Sequence, residues 1–111
     1  MASHPYESEV HSLIRRLVTA GLIPVKVYDG DEWIECRPES LATDAAEIIL
    51  SVDDSHLVVK NLEGQRAELA IVLGNCPGEA LADWSAPAGI CDQIEAVSNA
   101  HYAAWANEVK S

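Results

Sequence analysis

No apolar run in this chain approaches the ~18 residues needed to cross a bilayer, although 49% of its residues are hydrophobic. The first ten residues offer neither a basic start nor an apolar segment. No secretory signal is therefore expected, and the cytoplasm is the expected compartment. Cysteine is scarce. Cys36, Cys76 and Cys91 are odd in number and widely spaced, which predicts reduced, structurally inert thiols rather than a disulfide framework. The three cysteines and His4, His11, His56 and His101 contain no Cys-x-x-Cys and no paired His spacing. Neither a metal site nor a cofactor is expected from them. Gly74 and Gly78 follow an apolar run, but no lysine and no helix start accompany them, so a phosphate-cradling loop is not indicated. Asp29-Gly30-Asp31 has the opening of a calcium loop without its later ligands or closing glutamate.

Positive charge is also in short supply. Seven Lys and Arg against 18 Asp and Glu give a formal charge of -11, which argues against nucleic acid or an anionic membrane as a direct partner. A solvated acidic surface accounts for this charge most simply. A protein partner with a basic surface is a second reading, and imitation of a polyanion a third. The third ranks last, because a mimic needs carboxylates aligned on one face. Here they are spread over turns (Asp29, Asp31, Glu32, Asp53, Asp54) and helices.

What is present is a regular alternation of two periodicities. Tyr6, Val10, Leu13, Ile14, Leu17 and Val18 recur at helical spacing after Pro5, with Glu7, Glu9, Ser12, Arg15, Arg16 and Thr19 opposite and Gly21 as the stop. Two short β-type runs flank Asp29-Gly30 and predict a hairpin with a two-residue loop. That register would place Lys26 opposite Trp33 as a cation–π pair, and Val25 opposite Ile34, with Val27 and Cys36 completing the core face. Ser40 is placed to cap a second helix carrying Leu41, Ala45, Ile48, Ile49 and Val52.

Strands follow at His56–Lys60, across the turn Asn61–Gly64 at Arg66–Leu73, and after a type II turn around Pro77-Gly78 at Ala80–Ser85. A last helix, Ile90–Glu108, carries Ile90, Ile94, Val97, His101 and Trp105 in one stripe. The predicted fold is a single α+β domain spanning residues 1–111, of order α-β-β-α-β-β-β-α. Its antiparallel sheet has the helices packed on one face.

Three places invite chemistry. His101, buried in an apolar stripe, is a candidate base, ligand or switch, or a core histidine satisfied by a backbone carbonyl or Ser98. With Cys91 and Trp105 it marks a candidate ligand site near the last helix. Cys76 sits in a glycine-flanked loop, but no base is placed beside it by spacing. The third place is the sheet face away from the helices, where Val58, Ala70, Val72, Ala82 and Trp84 form an expected apolar strip rimmed by Lys60, Arg66 and Glu68. An apolar sheet face without cover predicts a contact surface, most economically a two-fold homodimer. The expected function is a non-enzymatic interaction or regulatory module that self-associates. A small-molecule binder or small enzyme with its pocket near the last helix is the alternative.

Overall fold

The apolar positions of the first helix become its buried stripe: Val10, Leu13, Ile14 and Leu17 in α1 (Glu7–Thr19) are each no more than 2% exposed. Gly21 closes α1 in left-handed backbone, φ 87°. There the Leu22 N–H donates to the Leu17 carbonyl at 2.9 Å and the Gly21 N–H to that of Val18 at 3.0 Å. A residue with a Cβ makes this closure only with strain. The structure, a computed structural model, describes residues 7–73 and 80–110, with side chains described within 8–37, 39–73 and 80–104. The expected type II turn around Pro77-Gly78 and the side chain of Trp105 lie outside these residues.

Five strands, β1 (Ile23–Tyr28), β2 (Trp33–Glu35), β3 (Asp54–Lys60), β4 (Arg66–Val72) and β5 (Leu81–Ser85), form one antiparallel sheet in the order β2-β1-β3-β4-β5. Helix α2 (Leu41–Leu50) packs on β1 and β3, α3 (Ala88–Lys110) packs on β4 and β5, and α1 touches both helices. The chain is thus one α+β domain with the predicted element order, its helices on a single face of the sheet. Among the described residues no helix is long and apolar enough to cross a membrane.

The central strands alternate as period-2 patterning requires. Val27, Ser55, Leu57, Val59, Ala67, Leu69 and Ile71 face the helices and are at most 3% exposed. Burying a side chain the size of Leu57 or Leu69 contributes roughly 1.5–3 kcal/mol, so these positions fix which way the sheet faces. The hinge between β3 and β4 is a second fixed point. The Asn61 side-chain oxygen accepts the N–H groups of Glu63 (3.0 Å) and Gln65 (2.9 Å), and its amide nitrogen donates to Gln65 Oε1 (2.9 Å) and Gln93 Oε1 of α3 (3.4 Å).

Two registers depart from expectation. In the first hairpin Tyr28 pairs with Trp33, Val27 with Ile34 and Lys26 with Glu35, so Asp29–Glu32 forms the loop rather than Asp29-Gly30 alone. Asp29 causes this. Its Oδ1 accepts the N–H groups of Asp31 and Glu32, each at 2.9 Å, while Gly30 takes φ 99°. Those hydrogen bonds, Glu32's first, hold the Asp29 carboxyl below its ordinary 3.8. Lys26 still reaches Trp33, now diagonally, with Nζ 4.8 Å from the ring centroid. Val27 and Cys36 are buried, whereas Val25 and Ile34 are half-buried.

The second departure is in β5, where Ile71 faces Leu81 but Ala70 faces Asp83. Ala82 is the extra residue of a β-bulge, and beyond it every side chain changes face. Trp84 consequently lies opposite Leu69 on the helix side, not on the open side as expected. There it packs against the core, and its Nε1–H donates to Cys91 Sγ at 3.3 Å.

Between sheet and α2, a 3-10 turn (Pro38–Ser40) brings Arg37 against Asp44. Arg37 Nε donates to Oδ2 at 3.0 Å, Nη2 to Oδ1 at 2.9 Å, and the Arg37 backbone N–H to Oδ2 at 2.8 Å. The guanidinium beside it, and then that backbone N–H, hold the Asp44 carboxyl far below the usual range. Ser40, expected to cap α2 through the backbone, gives its hydroxyl to Asp44 Oδ1 instead, at 3.2 Å.

Candidate interaction face and a buried carboxylate–histidine pair

Among the described residues no helix packs on the other face of the sheet. The registers place Trp33, Tyr28, His56, Ala70 and Asp83 in one cross-strand row and Glu35, Lys26, Val58, Glu68 and Ser85 in the next. Lys60 and Arg66 pair at one end of β3 and β4, and Asp54 and Val72 pair at the other. The rings of Tyr28 and Trp33 lie 5.3 Å apart, and those of Tyr28 and His56 6.2 Å apart. His56 Nδ1 stands 3.1 Å from Glu68 Oε2, with both side chains close to half exposed.

The expected apolar strip is therefore corrected in composition. Val58, Ala70 and Val72 do share this face, Ala82 stands out of register in the bulge, and Trp84 is on the opposite side. Glu68, expected at the rim, instead flanks Val58 together with Lys26, and Val58 is only 8% exposed between them. The strongest apolar surface comes from the aromatic row, where Trp33 is 42% exposed. That row was not picked out from sequence, because Tyr28 and Trp33 align only in the observed register.

Charge distinguishes this face from the rest of the molecule. It carries Lys26, Lys60 and Arg66 against Glu35, Asp54, Glu68 and Asp83, near balance on a chain of net charge -11. The sheet edges are poor docking sites by comparison. β2 has only three residues, and on β5 the Trp84 N–H is taken by Asp83 Oδ1 at 2.8 Å.

The second constellation is internal. His101 of α3 is fully buried, and its Nε2 lies 3.0 Å from Glu9 Oε2 of α1. The same Glu9 oxygen accepts the Ala80 N–H at 3.1 Å, just before β5. Three elements are thus tied at one carboxylate oxygen, and leaving such buried groups unmatched is costly. Sequence reasoning missed Glu9 and placed it on the solvent face of the helix. The available signal was its spacing, since Glu9, Leu13 and Leu17 repeat every four residues along the buried stripe.

Of the residues expected to form a ligand site, the side chain of Trp105 lies outside the described residues, and the other two stand apart. Cys91 and His101 are ten positions apart on α3, about 15 Å along a helix axis. Cys91 is engaged by Trp84 and His101 by Glu9. Clefts formed by described residues lie between α1 and α3, between α1 and α2, beside α2, on the open sheet face and beside β1 at Cys36. Cys36 is likewise no reagent. Burial, and secondarily the Asp44 carboxylate, push its thiol up to about 11, so it stays protonated near neutrality. Among the described residues no three His, Cys, Asp or Glu side chains cluster as a metal ion would require. No protein-family model matches the chain, and no curated protein or solved structure matches it either.

Proposed function

We propose that the chain is a non-enzymatic interaction module of the cytoplasm that acts as a homodimer, two copies meeting through their open sheet faces. The observation that carries this reading is the near-neutral aromatic face on a chain of net charge -11. Two such chains repel one another almost everywhere else, and at this face the repulsion is least. The ends of the strands supply complementarity as well. A two-fold axis running across the strands lays Lys60 and Arg66 of one copy over the Asp54 end of the other. Trp33 and Tyr28 provide the large amphipathic surfaces that dominate interface energies.

The test is sedimentation equilibrium on the wild type and on Ala70→Arg. The new arginine stands beside Asp83, so the fold tolerates it, while its length and charge occupy the centre of the face. We expect a wild-type dimer whose dissociation constant rises at least tenfold in the variant. A wild type that stays monomeric at millimolar concentration, or a dimer that Ala70→Arg leaves unchanged, rejects the reading.

A further inference from the structure

On the opposite side of the molecule, α1 and α3 flank an open cleft of about 450 Å³, lined by Ser12, Arg15, Arg16 and Thr19 of α1 and by Ala96 and Ala100 of α3. Its size falls within the range of small-ligand pockets. Neither arginine pairs with a carboxylate among the described residues. Arg16 Nε is enclosed and has no hydrogen-bond acceptor there. An enclosed guanidinium nitrogen without an acceptor costs stability, and among the described residues no carboxylate lines this cleft.

We propose that this cleft is an anion site, taking a small organic molecule that bears a carboxylate or phosphate group on a compact apolar body. The fold already displays how it satisfies a partly buried guanidinium. Arg37 engages Asp44 side-on, through Nε and one Nη, at 3.0 and 2.9 Å. In the α1–α3 cleft Arg16 has no such carboxylate among the described residues and its Nε has no acceptor, and an anionic ligand on the guanidinium supplies the missing negative charge. Arg15 adds a second positive charge, Ser12 and Thr19 add hydroxyl donors, and the alanines leave room for an apolar body. The net negative charge of the chain opposes entry only weakly at physiological salt, where fields from charges beyond ~8 Å are screened.

The experiment is a titration of the full chain followed by amide NMR at constant ionic strength. One arm uses inorganic phosphate and the other succinate, with sodium chloride as the reference. Saturable shifts at Ser12, Arg16, Thr19, Ala96 and Ala100 are expected. The arm that saturates at lower concentration identifies the anion class. Arg16→Gln should weaken that binding at least tenfold, whereas Arg66→Gln on the sheet face should leave it intact. The site is rejected if neither anion shifts those amides saturably, or if Arg16→Gln binds as the wild type does.

Discussion

The two faces of the sheet are built from the same strands under opposite constraints. On the helix side, Leu57, Val59, Leu69 and Ile71 are at most 1% exposed and fix strand identity and orientation by burial. On the open side, adjacent residues of the same strands carry Lys26, Tyr28, His56, Lys60 and Glu68, which the fold does not need for its core. The difference teaches that the core and the proposed contact surface are written on alternate residues of the same strands. A substitution should therefore read out in one property or the other. The sharpest contrast is between neighbours. Leu69→Ala should lower unfolding free energy by about 2–5 kcal/mol, while Ala70→Arg, one residue on, should stay within roughly 0.5 kcal/mol. Urea unfolding of both variants at low concentration makes the comparison, and similar costs at the two positions would break it.

The buried pair belongs to the helix side and comes next in size. Glu9→Ala removes the oxygen shared by His101 Nε2 and the Ala80 N–H, and should cost about 1–3 kcal/mol. Glu9→Gln keeps an acceptor oxygen and should recover part of that loss. If the two variants unfold alike, the shared oxygen is not what ties α1, β5 and α3 together.

A smaller, pH-dependent effect is expected at Asp44, whose carboxyl titrates far below its ordinary 3.8 because of Arg37. A carboxylate whose folded value is depressed stabilises the fold above its unfolded value, and that stability is lost as pH falls toward the folded one. The urea midpoint of the wild type should therefore exceed that of Asp44→Asn at pH 6, and the gap should narrow steadily below pH ~3.8. A gap that is constant from pH 6 to pH 2.5 would remove the ion pair from the account.

These faces were not equally legible in the sequence. The helix side was, because burial imposes a period: the stripes of α1 and α3 and the alternation of β3 and β4 state their own orientation. The open side depended on register, and register depended on two local features. The Asx turn at Asp29 lengthens the first loop, which aligns Tyr28 with Trp33. The bulge at Ala82 turns Trp84 toward Cys91, and strand alternation alone gives no sign of it. Glu9 was hidden for a different reason. Its charge argued for solvent, and its partner His101 is 92 residues away in sequence. The Arg16 cleft exists only once α1 and α3 are packed together.

The smallest effect is the one that sharpens the comparison most. Lys26 Nζ lies 4.8 Å above the Trp33 ring on the open face. In water such a contact contributes about 0.5–1 kcal/mol, rising to about 2 kcal/mol where the pair is desolvated. The effect of Lys26→Gln should accordingly depend on protein concentration. Near the exposed limit when the chain is dilute and monomeric, it should grow toward the desolvated limit when a second copy covers the face. The net charge falls by one more unit, which adds a small repulsion to association but nothing to monomer unfolding. Measuring urea unfolding of wild type and variant across a hundredfold range of concentration separates these contributions. A cost that does not change over that range means Lys26 and Trp33 remain in water. The open face would then be a solvated surface, and the contrast between the two faces would be one of burial alone.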